Sequence, residues 1–419
     1  MLARLLSAIA LSIAFQAVAQ TSDSPAPLLK KGEPVTWWFV YKFNASAFPG
    51  CKGTAERVCL FGGNVKDYPA PFSQRFAYAS DKNETLREGS GCAGDSVADP
   101  IGATFDEIYN GTLNYVIWND QPYGDPKIAG CTDEKGNCGA PWGHSKGVLA
   151  WDKSGSGFVM QVSTPSWPES GSKKHPRKDG NSLGCVTDNN VEVAQHFFAL
   201  KLSKSGVLSV LRGLRNASAV TDPANPQVAN VAGSPADIQA AVNELGYLEH
   251  GRNVVREPLA SDVELISKPS ELNVPPWQMM SSLLGGVPLR AATWWAYPKI
   301  WSTTHAAEPG CWDASLKPAP GPVEIATSGH WANKAIGLEG AKGPKSNHAK
   351  LGVSLSGSAQ YVIFGDLNQQ GALAQNYAYP KQMCSSSQNG RGGLFFVVRN
   401  NKLHASVSAL LKGQSAPGK

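Results

Sequence analysis

The chain has 419 residues, 42% of them hydrophobic and 17% charged, with a formal net charge of +5. That balance is too apolar and too weakly charged for a disordered tail and too polar for a multi-span membrane protein. So mild a charge does not by itself nominate a nucleic acid partner, and at about 150 residues per domain the length suits two or three units or one large two-lobed one.

In chain order, MLARLLSAIALSIAFQAVAQ carries Arg4, a short apolar stretch and Ala17-Val18-Ala19, the pattern of a secretory signal peptide over residues 1–19. Arg4 is its only charge, so cleavage after Ala19 takes +5 to +4. No later stretch reaches about 18 uninterrupted apolar residues, so no membrane anchor is expected. PVTWWFVYKF (34–43) reads as a buried strand. Eight cysteines (Cys51, Cys59, Cys92, Cys131, Cys138, Cys185, Cys311, Cys384) on an oxidising route read as disulfides. Their pairing is open, although Cys131 and Cys138 could close a small loop. Zinc is the rival use of cysteine, but no C-x2-C pair or histidine cluster accompanies them.

HSKGVLAWDKSGSGFVMQVSTP, from His144, reads as a hairpin: His-x-Lys, an apolar strand, a Ser-Gly-Ser turn and a second apolar strand. KKHPRKDG (173–180) is the densest basic run; Lys173, Lys174 and Arg177 could contact backbone phosphates, although most basic loops are simply solvated. Residues 193–214 read as partly helical, and 235–248 as a helix behind a Ser234 cap. The polar, Pro-rich run 221–234 suits a connection between halves of about 20–225 and 226–419. AATWWAYPKI (291–300) repeats the Thr-Trp-Trp strand, and HAKLGVSLSGSAQYVIFGDLN, from His348, repeats the His-x-Lys hairpin.

With 8 histidines in 419 positions, chance supplies only about 0.5 His-x-Lys matches, so two in matching contexts carry weight. The alternation of helices and strands and this repeat predict an α/β fold of two related lobes, with the two cassettes facing one cleft about a pseudo-two-fold axis. In a strand, residues i and i+2 share a face, so His144 and Lys146 converge, as do His348 and Lys350. Two imidazoles and two ammoniums suit a phosphodiester: one neutral histidine attacks phosphorus, the other, protonated, gives the leaving oxygen its proton, and the lysines hold the equatorial charge. No metal or other cofactor is needed for that chemistry. His175, His196, His250, His305, His330 and His404 lack such partners and read as structural or surface groups. H-E-x-x-H, P-loop and G-x-S-x-G motifs do not occur, so zincin, nucleotide-triphosphatase and serine-hydrolase readings lack their parts.

WWFVYK from Trp37, YVIWNDQP from Tyr115, GHSKGVLAWD from Gly143, NHAK from Asn347, GDLNQ from Gly365 and GRGG from Gly390 resemble the deoxyribonuclease II family, acid endonucleases of the phospholipase D-like group. The resemblance covers most of the chain beyond the signal peptide. It implies a phospholipase D-like fold of two α/β/α lobes with central mixed sheets. It also implies metal-independent DNA cleavage at acid pH that leaves 3′-phosphate ends through a covalent phosphohistidine. His144, Lys146, His348 and Lys350 match the paired motifs, and Asn368 takes the place of a supporting asparagine. By analogy His144 is the nucleophile and His348 the general acid. Asp366, where the wider group has serine, either orients a histidine or caps a turn; Asp152 and Ser163 are weaker candidates. The chain departs from animal relatives at Val162, where they carry a further histidine. That departure and the short signal peptide point to a bacterial periplasmic or secreted protein; in a eukaryotic host, lysosomal, with glycans on the sequons at Asn44, Asn83, Asn110 and Asn216.

Two other readings remain: a secreted phospholipase D-like enzyme acting on lipid head groups, and a non-catalytic secreted DNA-binding protein. DNA, double-stranded or single-stranded, is the expected partner. Both motifs lie in one chain, so the site is complete in a monomer, and a homodimer is equally open.

Overall fold

A computed structural model describes residues 24–51, 71–94, 96–121, 131, 137–164, 191–226, 228–357, 359–378 and 381–418. The first large sheet is built from β1 (Trp37–Lys42), β2 (Phe76–Ser80), β3 (Asn83–Glu88), β4 (Asn114–Asn119), β5 (Lys146–Trp151), β6 (Gly157–Val162), β7 (Gln195–Leu202) and β8 (Ala229–Asn230). Its order is β3-β2-β1-β7-β6-β5-β4-β8. The second contains β9 (Val255–Ala260), β10 (Val263–Lys268), β11 (Leu289–Ala292), β12 (Val323–Ile325), then, beyond a separate hairpin of β13 (Ser328–Trp331) and β14 (Lys334–Gly337), β15 (Leu351–Ser354), β16 (Tyr361–Gly365) and β17 (Gly393–Arg399). Its order is β12-β11-β15-β16-β17-β10-β9. Among the described residues, five α-helices join them: α1 (Pro100–Tyr109), α2 (Lys204–Asn216), α3 (Ala236–Asn243), α4 (Pro276–Leu283) and α5 (Asn401–Leu410). The fold is mixed α/β, but the expectation of two mixed sheets needs correcting. The first sheet is antiparallel at every described pairing, and only β11 with β12 makes the second mixed.

The strands are apolar on both faces because both faces are covered. In β7, Phe198, Leu200 and Leu202 enter a central core, while Phe197 and Ala199 enter an outer one. In β17, Leu394, Phe396 and Val398 face the same central core, and Phe395 and Val397 the second sheet's outer core. Rings interleave across the middle: Phe364 lies 4.6 Å from Phe39 and 4.5 Å from Phe198, centroid to centroid. Helix α2, capped by Ser203 on Gly206 N–H, leaves the first sheet and packs on β9 and β10 of the second. Helix α5, capped by Asn400 on Leu403 N–H, leaves the second sheet and packs on β3 of the first. The α2 approach is close at Gly213, where a Cβ would meet Leu265 Cδ2 at 2.8 Å.

Strand order corrects one element of the repeat. The hairpins β5-β6 and β15-β16 are counterparts, but the Thr-Trp-Trp runs are not. β1 pairs with β7, whereas the second run begins where β11, a partner of β15, ends. By position in the sheet, β1 corresponds to β10. Their last residues bear this out: Lys42 Nζ donates to Phe43, Ser73 and Val191 carbonyls, and Lys268 Nζ to Pro269, Asn389 and Arg391 carbonyls. Each buried ammonium ties the chain entering the third hairpin-side strand, β7 or β17, to its neighbour.

Residues 193–214 divide into β7 and α2, because QHFFALKL is apolar on two faces rather than along a helical stripe. The expected helix over 235–248 is the shorter α3, which stops before the positive φ of Gly246. The Pro-rich run 221–234 is tied to the first sheet through β8, which pairs with β4, and through Thr221 Oγ1, which donates to Ile117 O at 2.5 Å. Among the described residues there are three disulfides, Cys51–Cys92, Cys131–Cys138 and Cys311–Cys384; Cys59 and Cys185 lie outside the described residues. Asn44 is fully buried and its amide donates to Gly337 O, so a glycan on that sequon is incompatible with the fold. No described helix is long and apolar enough to cross a membrane. Residues 1–19, expected from the sequence to be a signal peptide, lie outside the described residues.

Candidate active site

His144 stands two residues before Lys146, the first residue of β5, and His348 two before Lys350, which adjoins β15. The backbone N–H of His144 donates to Gly392 O (2.8 Å) at the entry to β17, and that of His348 to Ala194 O (2.8 Å) at the entry to β7. The rings are held reciprocally too. His144 Nδ1 lies 2.7 Å from Asp366 O, just after β16, and His348 Nδ1 lies 2.7 Å from Ser163 O, just after β6. A carbonyl only accepts, so this network assigns the proton to Nδ1 and leaves Nε2 of each ring free for other chemistry. Each histidine is therefore fixed by the hairpin end of the opposite sheet. Gly392 permits the closeness, because a Cβ there would collide with the Ala217 carbonyl.

The lysines are placed less evenly. Lys146 Nζ pairs with Asp120 Oδ1 at 2.6 Å, and Arg391 Nη2 takes Oδ2 of the same carboxylate at 2.9 Å. Arg391 also donates to the carbonyls of Cys138, Trp142 and Gly143, bracing the chain that leads into His144. Lys350 Nζ donates to His348 O at 2.6 Å and has no ion-pair partner among the described residues. Burial, with the Lys146, Arg391 and Lys350 charges, holds His144 well below the ordinary imidazole range. Burial, Lys350 and Lys146 do the same to His348, and burial and Lys146 hold Lys350 well below the usual ammonium range. So much desolvated positive charge is stabilised by an incoming anion.

Both histidines line a cleft of about 610 Å³ with Asn368, Trp294, Gln370 and Arg391. Asn368 Nδ2 donates to Gln370 Oε1 at 3.1 Å, while its Oδ1 has no partner among the described residues. The Trp294 ring meets His348 edge-on, 5.2 Å between centroids. Lys146 and Lys350 are buried and are not part of the lining.

Asp366 and Ser163 stand behind the two histidines rather than in the cleft lining. The Asp366 carboxylate accepts from Gln161 Nε2 (2.9 Å) and Leu394 N (2.8 Å), and Ser163 Oγ donates to Gln195 Oε1 (2.7 Å) and accepts from His196 N (2.8 Å). Their carbonyls hold the histidines, their side chains brace the turns, and neither lines the cleft. Asp152 caps its own turn through Ser154. Lys173, Lys174 and Arg177 lie outside the described residues. Val162 belongs to the outer core, on the face of β6 opposite Gln161, so no cleft position is lost there.

Sequence reasoning passed over Asp120, Arg391, Gln161 and His196. Asp120 and Arg391 stood within runs already singled out, YVIWNDQP and GRGG, and a polar residue ending an apolar strand beside a cassette is the signal that could have marked them. His196 sits in an apolar strand with no partner nearby in sequence; its ring meets Gln161 of β6, 35 positions away, and Lys350 N–H beside the second sheet. Among the described residues no group of three or more His, Cys, Asp or Glu could hold a metal ion.

Residues 27–215 match the family model described as Deoxyribonuclease II. The chain is 29% identical to plancitoxin-1 of Acanthaster planci over 188 residues, 43% of this chain and 45% of that protein. It is 29% identical to deoxyribonuclease-2-alpha of Sus scrofa over 164 residues, 37% of this chain and 38% of that protein. The Rattus norvegicus protein of the same name is 29% identical over 165 residues, 37% and 39% of the two chains. The matched stretches thus span less than half the length of these relatives. The family match takes in β1 to β7 and the first motif and ends within α2, short of the second motif. Over residues 27–215, the stretch that carries His144 and Lys146, this chain is similar to the deoxyribonuclease II family.

Proposed function

We propose that the chain is an acid endonuclease that hydrolyses DNA phosphodiester bonds to 3′-phosphate ends, with DNA as its macromolecular partner. The observation that carries this reading is the reciprocal clamp: two histidines, each held through Nδ1 by the opposite sheet, line one cleft. His144 Nε2 attacks phosphorus and the P–O5′ bond breaks, while His348 gives its proton to the departing O5′. Water then attacks the phosphohistidine, neutral His348 takes its proton, and the P–N bond breaks to release the 3′-phosphate. Lys350 and Lys146 offset the charge on the equatorial oxygens.

The acid requirement follows from the same surroundings. Burial and the lysine charges favour neutral imidazoles, so the proton that His348 must donate is present only as pH falls below the ordinary range of about 6.5. A phosphodiester between the ammoniums relieves part of that repulsion. The matching strand orders, with β5-β6-β7 answering β15-β16-β17, support a phospholipase D-like pair of units over about 20–225 and 226–419. The disulfides fit a secreted or periplasmic location.

The test is plasmid cleavage by residues 20–419 from pH 4 to 8 in excess EDTA. Cleavage at acid pH, with 3′-phosphate ends, is expected. No cleavage at any pH would move the assignment to another phosphodiester or to a binding protein.

A further inference from the structure

The two carbonyl clamps have different backing. Ser163 is braced by its hydroxyl on neighbouring β7 residues. Asp366 is braced by a buried chain of polar groups that reaches the other motif. Lys350 N–H, which can only donate, points to His196 Nδ1 at 3.1 Å. His196 therefore carries its proton on Nε2 and gives it to Gln161 Oε1 at 3.3 Å. That fixes the Gln161 amide, whose Nε2 donates to Asp366 Oδ1 at 2.9 Å, while Leu394 N–H occupies Oδ2. The Asp366 carbonyl then accepts from His144 Nδ1. His196, Gln161, Asp366 and Lys350 are each no more than 5% exposed, so none of these bonds is exchanged readily for water.

The chain is one-sided. Counting from Ser163 and Asp366, Gln161 corresponds to Phe364; counting from Ala194 and Gly392, His196 corresponds to Leu394. The second sheet supplies apolar residues where the first supplies a relay, and Phe364 stacks against the His196 ring (6.2 Å, 22° between planes). A buried imidazole with both nitrogens committed, one to the Lys350 backbone and one to the Gln161 side chain that braces Asp366, is more than core filling needs, since leucine and phenylalanine fill the matching space.

We propose that His196 and Gln161 are positioning residues: they lock Asp366, and through its carbonyl the His144 ring, to the backbone of Lys350, so that the two motifs keep one fixed spacing across a phosphodiester. The inference rests on the nuclease reading for its kinetic consequence but not for its geometry.

The experiment compares His196→Phe, which keeps a ring against Phe364, His196→Gln, which can both accept from Lys350 N–H and donate to Gln161, and Gln161→Leu. Kinetics of DNA cleavage are expected to show kcat lowered by about 10- to 100-fold in His196→Phe and Gln161→Leu, with KM within about twofold and partial recovery in His196→Gln. In parallel, ring-nitrogen NMR is expected to show a slowly exchanging His144 Nδ1 proton in the parent chain and its loss in His196→Phe and Gln161→Leu. Unchanged kcat in both variants, or a loss that His196→Gln does not recover, overturns the proposal. If the parent chain cuts no DNA, the nuclease reading fails alone and the NMR comparison decides: an unaltered His144 signal in the variants overturns the relay. Should His196→Phe not fold, Gln161→Leu carries both readouts.

Discussion

Lys146 shares the Asp120 carboxylate with Arg391, whereas Lys350, its counterpart in the second motif, has no carboxylate partner among the described residues and lies against its own histidine, 2.6 Å from His348 O and 3.0 Å from His348 Nδ1. Their histidines, by contrast, are held alike, Nδ1 to a carbonyl at 2.7 Å in both cases. The backbone keeps the symmetry that proton transfer needs, and charge breaks it. In the mechanism proposed above, a pair of groups that do opposite things, attack and protonate, benefits from one geometry and two electrostatic settings. The sharpest way to break the comparison is to remove each histidine in turn. His144→Ala and His348→Ala are both expected to reduce plasmid cleavage to background; full activity in either would mean that the two sheets do not contribute one histidine each.

The next effect is on stability. Asp120→Ala strands Lys146 and Arg391 in a buried site, and a loss of about 3–5 kcal/mol in urea unfolding is expected. Removing Lys350 leaves no such stranded partner, so Lys350→Met should unfold near the parent while losing about 10² to 10³ in cleavage rate. The same substitution removes a charge that depresses His348, so the pH at which activity is half-maximal should move upward. Lys146→Met should act most on His144, since Lys146 is the largest of the charges that depress that ring, and less on His348. If both variants gave the same profile, the two motifs would not be electrostatically distinct.

The cassettes were legible because their chemistry is local: His-x-Lys, a Ser-Gly-Ser turn and two apolar strands lie within about 20 residues of one another. What backs them was not. Asp120 is 26 positions from Lys146, and Asp366 is 205 from Gln161; only the fold of the two sheets brings these together. The Thr-Trp-Trp runs misled for the opposite reason. Aromatic, β-prone triplets serve any buried strand, so their likeness reports burial, not position. The true counterpart of β1, the strand VELISK, shares with WWFVYK little but its closing lysine.

That closing lysine gives the mildest test of the comparison, on the symmetric side. Lys42 and Lys268 each donate to three carbonyls, and burial pulls both down to about 7. A group depressed in the folded state from about 10.5 contributes stability that is present at high pH and is lost as pH falls towards 7. A methionine in its place leaves the carbonyls without their donor but does not titrate. Lys42→Met and Lys268→Met are therefore each expected to be less stable than the parent by about 1–3 kcal/mol at pH 9.5, measured by urea unfolding, and the gap should narrow by pH 6. Equal behaviour of the two variants would support β1 and β10 as equivalent strands. A cost confined to one of them would mean that the shared pattern of bonds is not shared energetics, and that the symmetry of the two sheets ends at the backbone.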